Sequence, residues 1–513
     1  MVSPAYISNP PPYLGQLDKI PLAAIEPPYC QILDNFVVEN QKLSLRHGDT
    51  TYGTVSNWNS TLGMGVYTST PKMFRADIIL GANTMLISDV STGTFSTAYN
   101  PAGIKTATFA TFAEFRNYLY VWGDGSIGTG GGYYYNGSIW ATAAYTLPGS
   151  FKPATSVAYK NRHYLLDYGT SKVAYSDVDG VTGDISGNSV DFSSIFSYSG
   201  YVVGIKNISI SENVQSQNYF CLIHSSGEVV AYQGSYPLSS DWGLVARFKI
   251  PAPAIYRAFI DRRGDTLVIT QAGLFSLRDL FLKGAQADDT AISAPIANRW
   301  KQYFKAYAQG NYSNGKIQGI WDEFRNYIII LFPWYVTRDG IISIGGTGKG
   351  GFLIYDVTQQ AWFEHFTPNL ANGIESAAFY KNSIYYCNQG TGATYKKEGS
   401  STWTDSAGST EFQIRSAPMQ AKKFGVNKAT GIETILETDI YSSLTMKLVL
   451  DLGRVTTSGQ TIPNPGSSVA KPFFNVGGEG TYIQYDITGT MGGAAIGLNL
   501  YDTNLWLEQG GSR

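Results

Sequence analysis

Cysteine is scarce: Cys30, Cys221 and Cys387 lie far apart with no C-x-x-C pair. Neither a disulfide framework nor a structural zinc site is therefore expected, and the three thiols read as small buried side chains. Charge of either sign is also thin, at 15% of residues, and 37 Lys and Arg against 39 Asp and Glu give a formal net charge of -2. That balance excludes the global basic field with which sequence-independent DNA binders grip phosphates. The longest apolar run, Tyr327 to Val336, is broken by Pro333 and is far short of the roughly 20 residues needed to span a bilayer. The opening MVSPAYISNPPPYLGQ lacks the basic and apolar regions of a secretory signal, so the expected compartment is a cytoplasm.

What the chain has in abundance is Tyr, at 36 residues, and Gly, at 56, with aromatics making 14% of its 513 residues. This mixture favours strands and turns and excludes an all-α fold. The length corresponds to roughly three domains of about 150 residues. Residues 1–30 hold Pro4, Pro10, Pro11, Pro12, Pro21, Pro27 and Pro28, a density that favours an extended, polyproline-like arm. Such an arm cannot build its own core, so it is expected either to stay disordered or to order along a neighbouring subunit.

From residue 31 onward an alternating apolar strand, a tight turn and a second aromatic or β-branched strand recur, which is a hairpin pattern. The turns fall near Asn83, Asn117, Asn161, Asn213, Arg263, Asn326 and Asn382, about 50 residues apart on average, as β-propeller blades repeat. Shorter strands such as KVAYSDV, EVVAYQGS, GLFSL, GFLIYD and ATYKKEG would complete four-stranded blades. Spacing runs from 34 residues between Asn83 and Asn117 to 63 between Arg263 and Asn326, which predicts a degenerate propeller of six or seven blades over residues 31–400. Ring closure is favoured because an open Tyr-rich sheet would expose hydrogen-bonding edges. The segment Asp34 to Arg46 is the expected closing strand.

One segment breaks the β pattern. Residues 294–309, APIANRWKQYFKAYAQ, set Ile296, Trp300, Tyr303, Phe304 and Tyr307 at helical spacing ahead of Gly310, predicting one inserted amphipathic helix packed on the core. After the polar run GSSTWTDSAGST, residues 401–513 carry alternating strands such as SLTMKLVLDL, YIQYDITGT and AIGLNLYDTNLWLE. These predict a small, separate C-terminal β-sandwich, so the fold class is all-β.

Propellers can host glycosidase chemistry, which needs two acids on opposed loops, but the S-x-D-x-G-x-x-W boxes of sialidase-like propellers are missing. Asp177, Asp179 and Asp184 resemble a calcium loop without a suitably placed Glu, and an Asx-rich turn is expected instead. Asp261, Arg262, Arg263, Gly264 and Asp265 read as a solvated hairpin tip. His47, His163, His224 and His365 each lack a second His or Cys at i+2 or i+4, and there is no G-x-S-x-G elbow. Gly345 to Gly351 has neither P-loop spacing nor a following helix, and reads as a flexible hairpin loop. Tyr133, Tyr134, Tyr135, Tyr198 and Tyr201 are candidates for stacking sugars or partner surfaces, set against packing between blade strands. Lys422, Lys423 and Lys428 form a basic group that reads as a DNA contact or as solvated charge. No catalytic, metal or cofactor-binding residue is assigned and no cofactor is expected.

The order of segments carries a resemblance. FVVENQKLSLRHG, the helix-bearing AISAPIANRWKQYFKAYAQ, the pair GIWDEFRNYIIILF and GFLIYDVTQQAWFEHF, and EFQIRSAPMQAKKF together resemble the tail hub or nozzle proteins of short-tailed, podovirus-type bacteriophages. This group is also described as packaged-DNA stabilisation proteins. The likeness runs from about Asp34 to Gln509 and rests on ordered weak motifs, not on one signature. It implies a propeller and sandwich subunit in a six-fold ring, a homohexamer, below the portal and adaptor. Such a ring extends the DNA channel, retains packaged DNA until ejection, and docks tail fibres or spikes and a plug or needle. The resemblance implies a structural protein of the virion tail, assembled in the host cytoplasm, that is not an enzyme, with the Pro-rich arm reaching a neighbour or the adaptor. Near-neutral charge is compatible, since a conduit that gripped phosphates would resist DNA passage. The Gly-rich loops at Gly123 to Gly132 and Ile341 to Gly351 depart from the pattern and leave the distal partners open. The alternatives are a glycan- or receptor-binding propeller of the fibre or spike kind, and a propeller glycosidase with Asp and Glu pairs on one rim.

Overall fold

The computed structural model describes residues 5–508 apart from 10, 11, 13, 20–23, 27, 28, 40, 41, 56, 57, 80–83, 100–106, 125, 126, 128–131, 143, 213, 214, 284–290, 309–316, 334, 337–341, 344–349, 368–373, 389–391, 400–403, 406, 407, 420–426, 439–442, 452–454, 458, 462–467, 471, 472, 475–477, 481 and 492–498. The hairpins that organise it are set at their turns. Arg116 and Asn117, Lys160 and Asn161, and Lys381 and Asn382 are pairs with both residues at positive φ, as are Arg263 and Gly264. This is the two-residue turn whose twist matches that of paired strands.

Among the described residues such hairpins build seven blades. Blade 1 is Trp58–Tyr67, Lys72–Ile79, Thr84–Asp89 and Ser96–Tyr99. Blade 2 is Ala110–Phe115, Tyr118–Gly123, Tyr133–Tyr135 and Trp140–Thr142, and blade 3 is Pro153–Tyr159, Arg162–Asp167, Lys172–Tyr175 and Ser189–Asp191. Blade 4 is Val202–Glu212, Gln215–His224, Glu228–Gln233 and Gly243–Lys249, while blade 5 has three strands, Phe259–Arg262, Asp265–Ile269 and Leu274–Ser276. Blade 6 is Gln318–Asp322, Tyr327–Phe332, Gly350–Asp356 and Ala361–Thr367. Blade 7 joins Ile374–Tyr380, Ser383–Asn388 and Ala393–Lys396 to the early strand Thr50–Thr54. Successive blades pack against each other around the ring, and Ile374–Tyr380 returns onto Trp58–Tyr67.

The closing strand corrects the expectation for Asp34 to Arg46. None of the five residues of Thr50–Thr54 is buried, which suits an outermost blade strand. Asp34 to Arg46 instead turns inward: Phe36, Val38, Leu43 and Leu45 are buried, and Phe36 meets the Phe412 ring edge-on at 5.6 Å. An apolar hairpin needs a core beneath it, and the sandwich supplies one. The hairpin Phe36–Glu39 and Lys42–Leu45 therefore joins Asn499–Glu508 and Asn427–Thr438 in one sandwich sheet. Cys30–Asp34 joins Gly408–Ser416, Ile483–Met491 and Ser443–Leu450 in the other.

The sandwich is also not separate, which corrects the boundaries at 31 and 401. Asp34 pairs with Glu364 of blade 6, so the blade and one sandwich sheet form a continuous sheet. One apolar cluster runs from Ile329, Phe352 and Ile384 in the blades to Phe412, Leu444 and Tyr485 in the sandwich. The Pro-rich arm, expected to be disordered or bound to a neighbour, lies on its own chain where it is described. Ala5–Asn9 pairs with residues 503–507, and the Gln16 N–H donates to the Trp362 carbonyl at 2.8 Å. Gly15, at φ +76°, passes so close to Trp362 that a Cβ would sit 2.6 Å from its carbonyl oxygen.

Among the described residues two α-helices interrupt the strands where one was expected. Ala297–Ala308 follows a single 3-10 turn and buries Ile296, Trp300, Tyr303 and Phe304 against blades 5 and 6; the Tyr307 side chain lies outside the described residues. Asp18 of the arm caps it, accepting from Asn298 N at 3.0 Å and Arg299 N at 2.6 Å. The second helix, Leu277–Lys283, follows the last strand of blade 5. Its entrance is fixed by Asp265, which accepts from Arg278 N at 3.0 Å and from the Ser276 hydroxyl at 2.7 Å. Asp265 is consequently buried, with its carboxyl raised by desolvation, and only part of the Asp261 to Asp265 tip is solvated.

Candidate functional site at the mouth of the propeller bore

The innermost strands line a bore that hydrogen bonds bridge at its middle. Arg257, buried ahead of blade 5, donates to the carbonyls of Leu62 and Glu375 at 3.3 Å, to the Ser376 hydroxyl at 2.8 Å and to Gln318. Burial pushes its guanidinium down to about 10. Beside it, Glu375 accepts from Thr61 N at 2.6 Å, and the Thr61 hydroxyl donates to Asp77 at 2.8 Å. Arg75 pairs with Asp77 at 2.7 Å and donates to the Gly392 carbonyl at 2.7 Å and the Thr394 hydroxyl at 2.9 Å. Desolvation raises the Asp77 carboxyl although Arg75 opposes it. This lattice joins blades 1 and 7, and so fastens the seam where the ring closes.

Toward the end where the first hairpin turns of the blades lie, the bore opens into a cavity of about 290 Å³. Phe112, Phe259, Trp321 and Phe379 line it, with Glu114 and Asp261 as its carboxylates. Lys206 donates to Asp261 at 2.7 Å, and the Thr266 hydroxyl donates to the other oxygen at 3.2 Å. Glu114 accepts from Thr68 N and hydroxyl at 3.1 and 2.7 Å, and from the Ser69 hydroxyl at 3.4 Å. Arg262 lies over the Trp321 ring at 4.9 Å. The Trp321 indole N–H is buried without an acceptor among the described residues.

A second polar centre lies where propeller meets sandwich. Arg46 pairs with Asp49 at 3.1 Å and donates to Asn35 at 2.9 Å, while Tyr386 donates to Asp49 at 2.6 Å. Lys397 contacts Glu398 and donates to His365 Nδ1 at 2.8 Å, and His365 Nε2 donates to the Phe36 carbonyl at 3.0 Å. Glu398 also pairs with Arg325 at 3.1 Å. Burial and the Lys397 ammonium hold His365 well below its ordinary value, so it is the neutral acceptor this geometry requires. Burial alone would raise Glu398, but the Lys397 ammonium and the Arg325 guanidinium hold it far below the usual carboxylate range. A cleft of about 450 Å³ flanks the cluster, lined by Lys42, His47, Phe324 and Arg325.

The candidates named from the sequence are scattered. His163 stacks on Phe115 at 5.0 Å, and its Nδ1 lies 3.1 Å from the Tyr145 hydroxyl, which donates to the Gly180 carbonyl at 2.9 Å; burial lowers His163 to about 3. His224 contacts Ser226, and His47 lies by the sandwich cleft. Asp177 pairs with Arg162 at 3.7 Å, Asp179 pairs with Arg116, and Asp184 accepts from Ser186 N at 2.9 Å in an Asx turn. Tyr133 and Tyr135 are buried in blade 2, Tyr198 is exposed with the Lys249 ammonium 3.9 Å from its ring centre, and Tyr201 is exposed with its ring 6.3 Å from that of Tyr256. Cys30, Cys221 and Cys387 are buried free thiols. Asn83, Asn213, Lys422, Lys423, most of Gly345 to Gly351 and the Lys428 side chain lie outside the described residues. The bore-mouth residues Phe112, Glu114, Trp321 and Phe379 carried no sequence signal except their place on inner strands. Their common feature is nearness to a first hairpin turn.

No protein-family model matches the chain, and no curated protein matches it. Among solved structures it is similar to Chaetomium thermophilum Raptor, with 11% identity over 69% of this chain and a TM-score of 0.40, spanning 29% of the Raptor chain. It is similar to the computationally designed Ika8 protein, with 7% identity, 69% and 99% coverage and a TM-score of 0.34. It is also similar to an exo-β-1,3-galactanase from Phanerochaete chrysosporium, with 10% identity, 90% and 100% coverage and a TM-score of 0.26. At such scores none of them bears on function, and the propeller architecture stands on the strand pairing described above.

Proposed function

We propose that the chain is a structural virion protein, the hub or nozzle subunit of a short-tailed bacteriophage. Six copies form a ring below the portal and adaptor, continue the DNA channel, retain the packaged genome and carry the distal tail parts. The observation that carries this reading is the fusion of propeller and sandwich through one sheet and one apolar cluster. A subunit that holds back packaged DNA must transmit load without hinging, and a shared core does so where a linker between domains would not. The hydrogen bonds that bridge the bore are compatible with it: the duplex would pass through the axis of the ring and not through a propeller. The formal net charge of -2 suits a conduit that DNA must traverse.

A glycosidase needs two carboxyl groups flanking a substrate, one to give a proton and one to act as base or nucleophile. In the bore Asp77 is closed in by Arg75; at its mouth Glu114 is committed to Thr68 and Ser69, and Asp261 is paired with Lys206 at 2.7 Å. This disfavours hydrolysis as the main activity. The test is quantitative mass spectrometry of purified particles, counting this chain against the portal protein. About six copies per particle supports the ring. Copies in threes per attachment point would turn the reading to a receptor-binding fibre or spike, and absence from particles would overturn both.

A further inference from the structure

We infer that the cavity at the mouth of the propeller bore is a binding site for one neutral sugar ring. The inference goes beyond the ring proposal and does not depend on it. The first argument is shape. A volume of about 290 Å³ sits at the small end of the roughly 300–1,000 Å³ range of small-molecule sites, which suits a single six-membered ring. It continues up the bore into a narrower space of about 160 Å³ that shares Met64, Phe112, Phe259, Asp261, Gln318 and Gly319 with it.

The second argument is the chemistry of the wall. A pyranose has an apolar C–H face and a girdle of hydroxyls, so its site needs aromatic surface with a few fixed polar groups. Phe112, Phe259, Trp321 and Phe379 come from blades 2, 5, 6 and 7 and supply the aromatic surface. Asp261 supplies the polar edge. Its side chain is 67% exposed, held at one oxygen by Lys206 at 2.7 Å and at the other by Thr266 at 3.2 Å. Each of these oxygens keeps further acceptor capacity, and the ammonium beside it keeps donors. Adjacent acceptor and donor groups match a pair of neighbouring hydroxyls, each of which both donates and accepts.

The third argument is electrostatic. The two continuous spaces are lined by Glu114 and Asp261 against Lys206 and Arg257, so their walls have no net charge to attract an ionic ligand. A uronic or sialic acid would bring its carboxylate toward two others, and like charges repel. The ligand class is therefore a neutral hexose or N-acetylhexosamine, free or at the end of a glycan.

The test uses the full chain and saturation-transfer NMR with D-glucose, D-galactose, D-mannose and N-acetyl-D-glucosamine, with N-acetylneuraminic acid as the charged comparison. At least one neutral sugar is expected to bind saturably, with a dissociation constant on the order of 1 mM, and N-acetylneuraminic acid is expected not to. Asp261→Asn is isosteric at an exposed position and is expected to weaken binding tenfold or more. Trp321→Leu is expected to abolish it, with circular dichroism checking the fold. No saturable signal from any neutral sugar, or binding that Asp261→Asn leaves within twofold, overturns the inference. Binding of N-acetylneuraminic acid as tight as that of the neutral sugars overturns the assigned class.

Discussion

Replacing Glu398 by Gln tests whether the cluster at the propeller and sandwich junction holds the two together. Glu398 neutralises Lys397, which is 2% exposed, and Arg325 at 3.1 Å. Gln keeps the shape but removes the charge, leaving Lys397 buried beside Arg46 and Arg325 with Asp49 as the nearest remaining carboxylate of the cluster. Removing one partner of a buried pair costs about 3–5 kcal/mol. If the shared core makes the 513 residues unfold together, an entropy of about 2.1 cal/mol/K per residue gives roughly 1.1 kcal/mol/K, and Tm falls by about 3–5 °C.

The size of the shift also reports on cooperativity. Were the sandwich to melt alone, its unfolding entropy would be about a fifth as large and the same loss would move its transition several times further. Differential scanning calorimetry therefore gives two readouts: the number of transitions and the shift. One transition lowered by about 3–5 °C is expected. The double variant Lys397→Met with Glu398→Gln removes both charges and is expected to recover most of the loss, because the penalty comes from the stranded ammonium. A single variant within 1 °C of the parent, or a double variant less stable than the single, would refute the reasoning.

Three further outcomes follow from other sites. The buried His163 has its value lowered to about 3, so between pH 6.5 and 3 the unfolded chain takes up a proton that the native one refuses. Stability is lost as pH falls through that window, and His163→Leu should flatten the urea-unfolding slope by about 1.4 kcal/mol per pH unit, an unchanged slope telling against it. Gly15→Ala puts a Cβ against the Trp362 carbonyl at positive φ. It should speed hydrogen exchange at Gln16 N–H, which donates to that carbonyl, by tenfold or more while leaving exchange in blade 3 unchanged. Truncation through Asn9 removes one edge strand and should leave a soluble chain. Truncation through Thr54 also removes the fourth strand of blade 7 and three sandwich strands, and should aggregate on size exclusion.

The propeller was legible because its turns are chemically marked. Asn117, Asn161 and Asn382 sit at positive φ, a conformation that Asn tolerates better than most residues, so they announce hairpins at blade spacing. Blade 1 misled for the same reason: its first hairpin turns through Thr68, Ser69, Thr70 and Pro71, with no positive φ. Asn83 falls between its second and third strands in sequence, and the 34-residue interval from there to Asn117 is correspondingly short. The closing strand Thr50–Thr54 was missed because an outermost strand needs no apolar stripe. The apolar alternation of Asp34 to Arg46 drew attention correctly to a buried hairpin, but alternation records that a face is buried and not against what.

The bore mouth was illegible for a deeper reason. Its walls come from Phe112, Phe259, Trp321 and Phe379 on four blades, and each is an ordinary apolar residue of an inner strand. What makes them a site is that a closed ring brings the same position of successive blades to one axis, so residues more than 250 positions apart, such as Phe112 and Phe379, line one cavity. Local spacing carries no trace of that convergence, whereas the junction cluster has partial local cause in the neighbours Arg46, His47 and Asp49 and in Lys397 and Glu398. The one polar element of the mouth visible in sequence was Asp261, assigned to a solvated tip. It is indeed exposed, yet Lys206 of blade 4 reaches it from 55 residues away. A charged side chain on an inner strand of a propeller thus reads differently from one on an outer strand: solvent there means the bore, and the bore is where a ligand would meet it.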